Sequence, residues 1–182
     1  MREERASPSD SRTIGQVTIS APQMTAVTST ISAQANAGFT GGSLAIDTSG
    51  IALNGTGNPV AGALALNVNA LSSGFSQINL QAVNNIELSS PWTLGNPATV
   101  SLLAGNTIMV DSGAKIETDA GKIVLDAPTV NQNGTLSANS IGTANGVVEI
   151  DAGNSLTLGA GSVISASGQS SLTTPSPGGF VV

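Results

Sequence analysis

The strongest constraint on this chain is a repeat at a fixed offset of 48 residues. Residues 100–110 align with residues 148–158, and the match continues through the pair Gly113 and Gly161 and the pair Ile116 and Ile164. A weaker copy at residues 123–127 lies between the two and divides the offset into units of roughly 24 residues, the length of a short solenoid repeat. A unit of that size cannot bury its own apolar side chains, so the sequence predicts that successive units stack on one another.

Each unit contains short strands, because apolar and polar residues alternate with a period of two. The clearest strands end in a small alanine, and Ala104 and Ala152 are expected to occupy matching positions two coils apart. A second strand then follows in the frame Ala-x-Asn-x-apolar-x-apolar, and a third follows a glycine. Three strands and three corners per unit predict an all-β fold, a parallel β-helix of roughly six or seven coils of about 22–25 residues each.

An antiparallel sandwich is the alternative architecture, since it also uses short strands separated by turn residues. It gives no reason for alanine, asparagine and glycine to return to the same positions in each unit, so the β-helix is favoured. The helix is expected over residues 14–170, with a disordered lead-in at residues 1–13 and a flexible tail rich in Ser, Thr, Pro and Gly at residues 171–182. The strand register between residues 50 and 77 stays open, because apolar residues crowd together there.

Composition excludes several classes of partner. Only 9% of the 182 residues are charged, the net charge is −6, and the only cations after residue 12 are Lys115 and Lys122. Nucleic-acid binding needs clustered cations, and so does attraction to anionic membranes, so neither is expected. No apolar run reaches the length of a membrane span and the first residues do not form a signal peptide, so an export signal is expected to lie outside this chain.

The chain has no histidine and no cysteine, which excludes Ser-His-Asp triads, histidine-ligated metals and thiolate sites. The sequence therefore predicts no catalytic, cofactor-binding or metal-ligating residue. Asp126 and Asp151 are expected at equivalent outward positions on adjacent coils, as a solvated pair whose row Leu103 interrupts. The competing interpretation is a carbohydrate-binding or carbohydrate-processing β-helix domain. A binding module would use the outward Thr and Asn side chains, and an enzyme would have to use the densest acids of the chain, which are Asp111, Glu117, Asp119 and Asp126.

Asparagines are interpreted as structural rather than functional. The frame places Asn84, Asn106 and Asn154 at one corner, where stacked side-chain amides can hydrogen-bond along the axis. Asn54 and Asn133 begin Asn-Gly-Thr sequences that match a glycosylation pattern. Asn-Gly is also a common turn dipeptide, and the turn is the better explanation of both.

Residues 42–53, 63–82 and 146–168 resemble filamentous-haemagglutinin-like exoproteins of bacterial two-partner secretion, and the likeness extends over about residues 14–170. The same stretches are also similar to large autotransporter-type adhesins. The resemblance implies a right-handed β-helix that is a shaft segment of a secreted or cell-surface adhesin. It implies an outer-membrane transporter as a partner of the parent protein, and host-cell glycans or receptors as further partners. End-to-end self-association is also expected, because neither end offers an obvious cap and exposed strand edges promote pairing.

Overall fold

The chain was analysed as a computed structural model, which describes residues 15–23, 26–27, 29–35, 40–57, 61–71, 74–140, 144–168 and 180–182. The predicted lead-in at residues 1–13 lies outside the described residues, as does most of the predicted tail. The regular secondary structure of the described part is almost entirely β-strand, with parallel pairing throughout, and it forms a β-solenoid of about six turns. The predicted parallel β-helix is confirmed. No helix within these ranges is long and apolar enough to cross a membrane.

The first face of the solenoid is a parallel sheet in which each strand begins a coil. Its apolar residues point inward and their column is continuous: Leu44, Ile78, Val100, Ile123 and Val148 pair in register and are fully buried. Each such side chain contributes about 1.5–3 kcal/mol when it is fully buried. The strands are β1 (Gln16–Ser20), β3 (Ser43–Thr48), β6 (Gln77–Ala82), β9 (Thr99–Ala104), the first half of β12 (Lys122–Gln132), the first half of β14 (Val147–Leu158) and β16 (Phe180–Val181).

The second face follows a corner after each first-face strand. Ala82, Ala104 and Ala127 fill this corner and are each 2% exposed, as the sequence predicted. Ala104 pairs with Ala82 below it, Ala127 pairs with Ala152 above it, and the chain therefore places Ala104 and Ala152 two coils apart. The strands of this face are β2 (Ala26–Val27), β5 (Leu64–Asn67), β4 (Ile51–Asn54), β7 (Asn85–Leu88), β10 (Thr107–Val110) and the second halves of β12 and β14.

The third face is a separate four-stranded sheet whose strands follow the glycines that the sequence singled out. Its inward column runs through Trp92, Ile116, Leu136 and Ile164, which pair in register. A 3-10 helix (Val68–Leu71) packs beside it. The strands are β8 (Pro91–Leu94), β11 (Lys115–Thr118), β13 (Thr135–Ser137) and β15 (Val163–Ser165).

An extra strand explains why the register between residues 50 and 77 was ambiguous. After β4 the chain does not go directly to the third face; β5 pairs in parallel with β4 on the side facing the N-terminal end of the solenoid. Strand β2 is thereby displaced and pairs with β5 instead of β4. The outward-facing Ala52 and Ala65 are nearly or fully buried, and residues 61–63 of the connection lie beside Ala52. This insertion departs from the regular coil.

Candidate functional site

The outer surface of the first face is flat, and it is polar and uncharged on strand β6, whereas exposed carboxylates lie on other strands of this face at Asp47, Asp126 and Asp151. Strand β6 presents three exposed amides, Gln77, Asn79 and Gln81, because its apolar residues alternate into the core. Hydroxyl side chains flank them on the neighbouring strands, with Ser43 beside Gln77 on β3 and Ser101 beside Asn79 on β9. Amides and hydroxyls both donate and accept hydrogen bonds. This surface can therefore contact neutral polar groups such as sugar hydroxyls.

Asp126 and Asp151 lie in directly paired positions on adjacent coils, as predicted, and both are exposed. Leu103 occupies the same column on the coil below, so the carboxylate row ends there. No group of three or more metal-ligating side chains comes together anywhere in the described ranges. Two exposed carboxylates without a third ligand are a poor cation site, because calcium and magnesium require six or more oxygens.

The four densest acids of the sequence do not converge. Asp126 points outward from the first face, Asp111 follows the second-face strand β10, and Glu117 points outward from the third face. Asp119 lies at the corner that precedes β12. The winding of the chain therefore distributes these carboxylates around the rod.

Both lysines pair with glutamates on the surface. Lys115 Nζ lies 2.6 Å from Glu117 Oε2 on the same strand, and Lys122 Nζ lies 2.7 Å from Glu149 Oε2 on the next coil. The hydrogen bond from Lys115 lowers the pKa of the Glu117 carboxyl, partial burial opposes that effect, and Thr93 Oγ1 donates a further bond at 3.3 Å. Such exposed pairs contribute about 0–1 kcal/mol each. They fix side-chain positions rather than form a reactive site.

The asparagine corner is only partly as predicted. Asn84 and Asn106 do stack, but the contact between them is a backbone hydrogen bond from Asn106 N–H to Asn84 C=O at 2.9 Å. Asn154 lies at an irregularity, where the register between β12 and β14 shifts after Ala127 and Ala152. The coil below carries Pro128 at this corner. A continuous column of stacked amides is therefore not formed.

Other asparagines hold turns, as the Asn-Gly interpretation expected for Asn54. Its Oδ1 accepts a hydrogen bond from Thr56 N–H at 3.1 Å, which is an Asx turn. Asn139 Oδ1 accepts bonds from Ser167 N–H at 2.8 Å and from Ser165 Oγ at 2.6 Å, and so ties adjacent coils of the third face. At Gly134 a close approach rather than a positive φ requires glycine, because a Cβ there would lie 2.4 Å from Ala114 O.

A shallow cleft of about 140 Å³ lies where the extra strand meets the second-face corner. The extra strand creates it, since residues 61–63 form one wall and the corner residues Asn84 and Asn85 form another. Glu87 supplies one carboxylate and Ala52 an apolar floor. Binding pockets for small molecules generally measure about 300–1,000 Å³. The cleft is thus large enough for part of a ligand, such as one sugar hydroxymethyl group, and not for a whole one.

The C-terminal end of the solenoid exposes side chains that belong to core columns. Leu158 is 55% exposed and Leu156 is 46% exposed. The residues below the two leucines, Val130 and Gln132, are fully buried. In the described chain β14 pairs on this side only with β16, through Val147 and Val148, and Ile150 N–H donates a hydrogen bond to Val182 C=O at 2.7 Å. The end therefore offers an apolar surface and a free strand edge, which together favour addition of another strand.

Sequence reasoning missed two elements that shape these surfaces. The inserted β5, which forms the cleft, has the same alternation as any other strand and gives no sign of its pairing partner. Strand β16 lies at the end of the segment predicted as a flexible tail, and its only signal is the apolar triplet of Phe180 and the β-branched Val181 and Val182. No family model matches the chain, and no curated protein and no solved structure matches it either.

Proposed function

We propose that this chain is a structural shaft segment of a secreted, haemagglutinin-like bacterial surface adhesin. Its role is non-catalytic: it supports cell attachment or presents a distal domain, and the parent protein leaves the cell through an outer-membrane transporter of the two-partner type. The resemblance of residues 42–53, 63–82 and 146–168 supports this assignment. So does the fold, because a solenoid that grows by adding like coils is suited to spanning distance.

The unbroken core is the observation that carries the proposal. On the first face Leu44 to Val148 form one column, and Ile46, Leu80, Leu102 and Leu125 form a second, each at most 2% exposed. Coils in a parallel sheet are spaced about 4.8 Å apart. A stack without a break in its core behaves as one rigid spacer. The acids, by contrast, are distributed around the rod rather than gathered at one place.

The proposal can be tested in cells that produce the protein. An antibody raised against the folded chain should label intact cells or recover the protein from the medium, and disrupting residues 77–158 should reduce adherence of those cells to a surface. Deleting residues 99–121 removes one coil and joins Ala98 to Lys122, which occupies the same register position as Thr99. A spacer should tolerate this deletion and keep adherence. Protein found only after lysis, with adherence unchanged by disruption, would contradict the proposal.

A second candidate, carbohydrate binding, is favoured by the amides of β6 and by the cleft beside Glu87. The flat face lacks aromatic side chains, which limits it to hydrogen bonding with sugar hydroxyls. Glycan-array binding by the purified chain should disappear in a variant with Gln77, Asn79 and Gln81 changed to serine, whereas a matched change of the exposed Thr18 on β1 should have no effect. Saturable binding with this pattern would favour the second candidate over the spacer.

A further inference from the structure

At each end of the solenoid one face extends a strand further than the other. The second face is the longer one at the N-terminal end, and the first face is the longer one at the C-terminal end. The first face contains seven strands, from β1 to β16, and the second face also contains seven, from β2 to the second half of β14. Because β5 lies beside β4 at the level of β1, β2 projects one level beyond β1 at the N-terminal end. At the C-terminal end β16 covers the first half of β14, and no strand among the described residues covers the second half, so the first face projects there by one level.

We propose that these stepped ends are complementary docking surfaces through which two copies of this chain stack head to tail. A second copy placed on the C-terminal end brings its β1 onto β16 and its projecting β2 onto the uncovered half of β14. Both faces then continue with one strand per level and without a gap. The inference goes beyond the shaft function, because it concerns the two ends of this chain and holds whether or not the protein is an adhesin.

The core columns continue across this junction in register. Val17 belongs to the same column as Val148 and Val181, so Val17 of the second copy lies over Val181. On the second face Val27 belongs to the column of Leu66, Leu53, Leu88, Val110, Gln132 and Leu158. Val27 of the second copy therefore lies over Leu158, whose side chain is 55% exposed in one copy alone. Burial of that leucine favours association.

Charge does not oppose this contact locally. Strands β1 and β2, which would meet the C-terminal end, contain no charged residue. The nearest carboxylates on the other side, Glu149 and Asp151, point outward from β14 rather than toward the junction, and Glu149 pairs with Lys122. The overall charge of −6 per copy does oppose association at low ionic strength. Stacking should therefore strengthen with salt, since the Debye length is about 8 Å at 0.15 M and about 3 Å at 1 M.

This contact is heterologous, because each copy uses a different surface at each end, and it does not close on itself. Blocking one end consequently leaves the other end competent. Leu158→Asp places a charge in the uncovered core column of the C-terminal end, on an exposed side chain whose change spares the fold. Val27→Asp does the same at the N-terminal end, and Val17→Asp, at the inward contact of the first face, is a second N-terminal variant should Val27→Asp fail to fold. Thr157→Asp is the matched control, since Thr157 points outward in the column of Glu87.

Sedimentation velocity over a concentration series of the full chain at 0.15 M and 1 M salt tests the proposal, with emission of the single Trp92 used to verify folding. The wild type and Thr157→Asp should form oligomers that grow with concentration. Leu158→Asp alone and Val27→Asp alone should sediment as monomers, and their equimolar mixture should form a dimer and nothing larger. A monomeric wild type at every concentration would overturn the proposal. So would dimers of either charged variant by itself, or a mixture that stays monomeric.

Discussion

The stacked core predicts that the same isoleucine-to-alanine change costs different amounts of unfolding free energy at two positions of one core column. Ile116 and Ile164 are matched by the 48-residue repeat and both point inward from the third face. Ile116 is fully buried between Trp92 below and Leu136 above. Ile164 rests on Leu136, and among the described residues no strand pairs with β15 on its other side. Changing each isoleucine to alanine removes the same three carbon atoms from two different environments.

The expected losses of unfolding free energy differ for that reason. Removing three buried carbons costs about 2.4 kcal/mol in transfer free energy, at about 0.8 kcal/mol each. Ile116→Ala also leaves a closed cavity between two coils, which brings its cost to about 3–4 kcal/mol, within the range for such changes. At Ile164 the space left behind opens to solvent and the side chain is already partly exposed. Its cost should be about 1–2 kcal/mol.

Urea unfolding followed by far-UV circular dichroism measures both values, and the shift of Trp92 emission follows the same transition from within the core. Leu136→Ala, at a fully buried position between the two isoleucines, is a useful third variant and should resemble Ile116→Ala. Equal costs for Ile116→Ala and Ile164→Ala would refute the reasoning. That result would mean that coils above and below contribute nothing to the burial of a core side chain.

Three further predictions concern the surface pair, a corner and the coil itself. Because the folded-state pKa of Glu117 lies below its ordinary value of 4.5, its ion pair contributes stability above that pH and loses it as the pH falls through the folded-state pKa. Glu117→Gln should therefore flatten the fall in unfolding free energy below about pH 4.5, by less than about 1 kcal/mol, in urea titrations at several pH values. Gly105→Ala should lower the unfolding free energy by about 1–3 kcal/mol, because its Cβ would lie 2.1 Å from Val83 O. Gly95→Ala, whose Cβ would meet nothing within 4 Å, should leave stability unchanged, and thermal melts compare the two variants. Deleting residues 99–121, one whole coil, should preserve a cooperative melt with native-like circular dichroism. Deleting residues 99–110 removes two of the three strands of that coil and should abolish the cooperative melt. Equal melts for the two deletions would contradict the coil boundaries.

The regular coils could be predicted from the sequence because their constraint is local and repeated. Alternation defines which side chains face inward, and the return of alanine, asparagine and glycine at similar spacing defines the corners. Residues 99–137 and 147–165 follow this pattern, and their register could be assigned by aligning the repeat with itself. The corner has little space, so only a small side chain fits there. This is why alanine recurs at Ala104 and Ala127, and why the sequence pattern could locate the corner.

The departures could not be predicted, because they depend on which strand pairs with which. The alternation of residues 64–67 is the same whether β5 continues the coil or folds back beside β4, and only burial of the outward Ala65 distinguishes the two. The amide column is interrupted between Asn106 and Asn154 because the coil between them has one residue fewer at that corner, where Pro128 alone separates Ala127 from Thr129. Strand β16 was missed because a pair of residues gives no periodicity, although its ladder with β14 includes Val182 N–H to Val148 C=O at 2.7 Å.

One distance tests the winding of the chain most directly. Ser20 and Asp151 belong to a single outward column, through Asp47, Gln81, Leu103 and Asp126, and are separated by five coil-to-coil steps. Since the chain has no cysteine, Ser20→Cys and Asp151→Cys accept spin labels at these exposed sites alone. Electron–electron double resonance should give a narrow distribution near 24 Å, at about 4.8 Å per step, that shortens by about 5 Å when residues 99–121 are deleted. A broad distribution, or a distance that does not respond to the deletion, would contradict the stacked-coil structure.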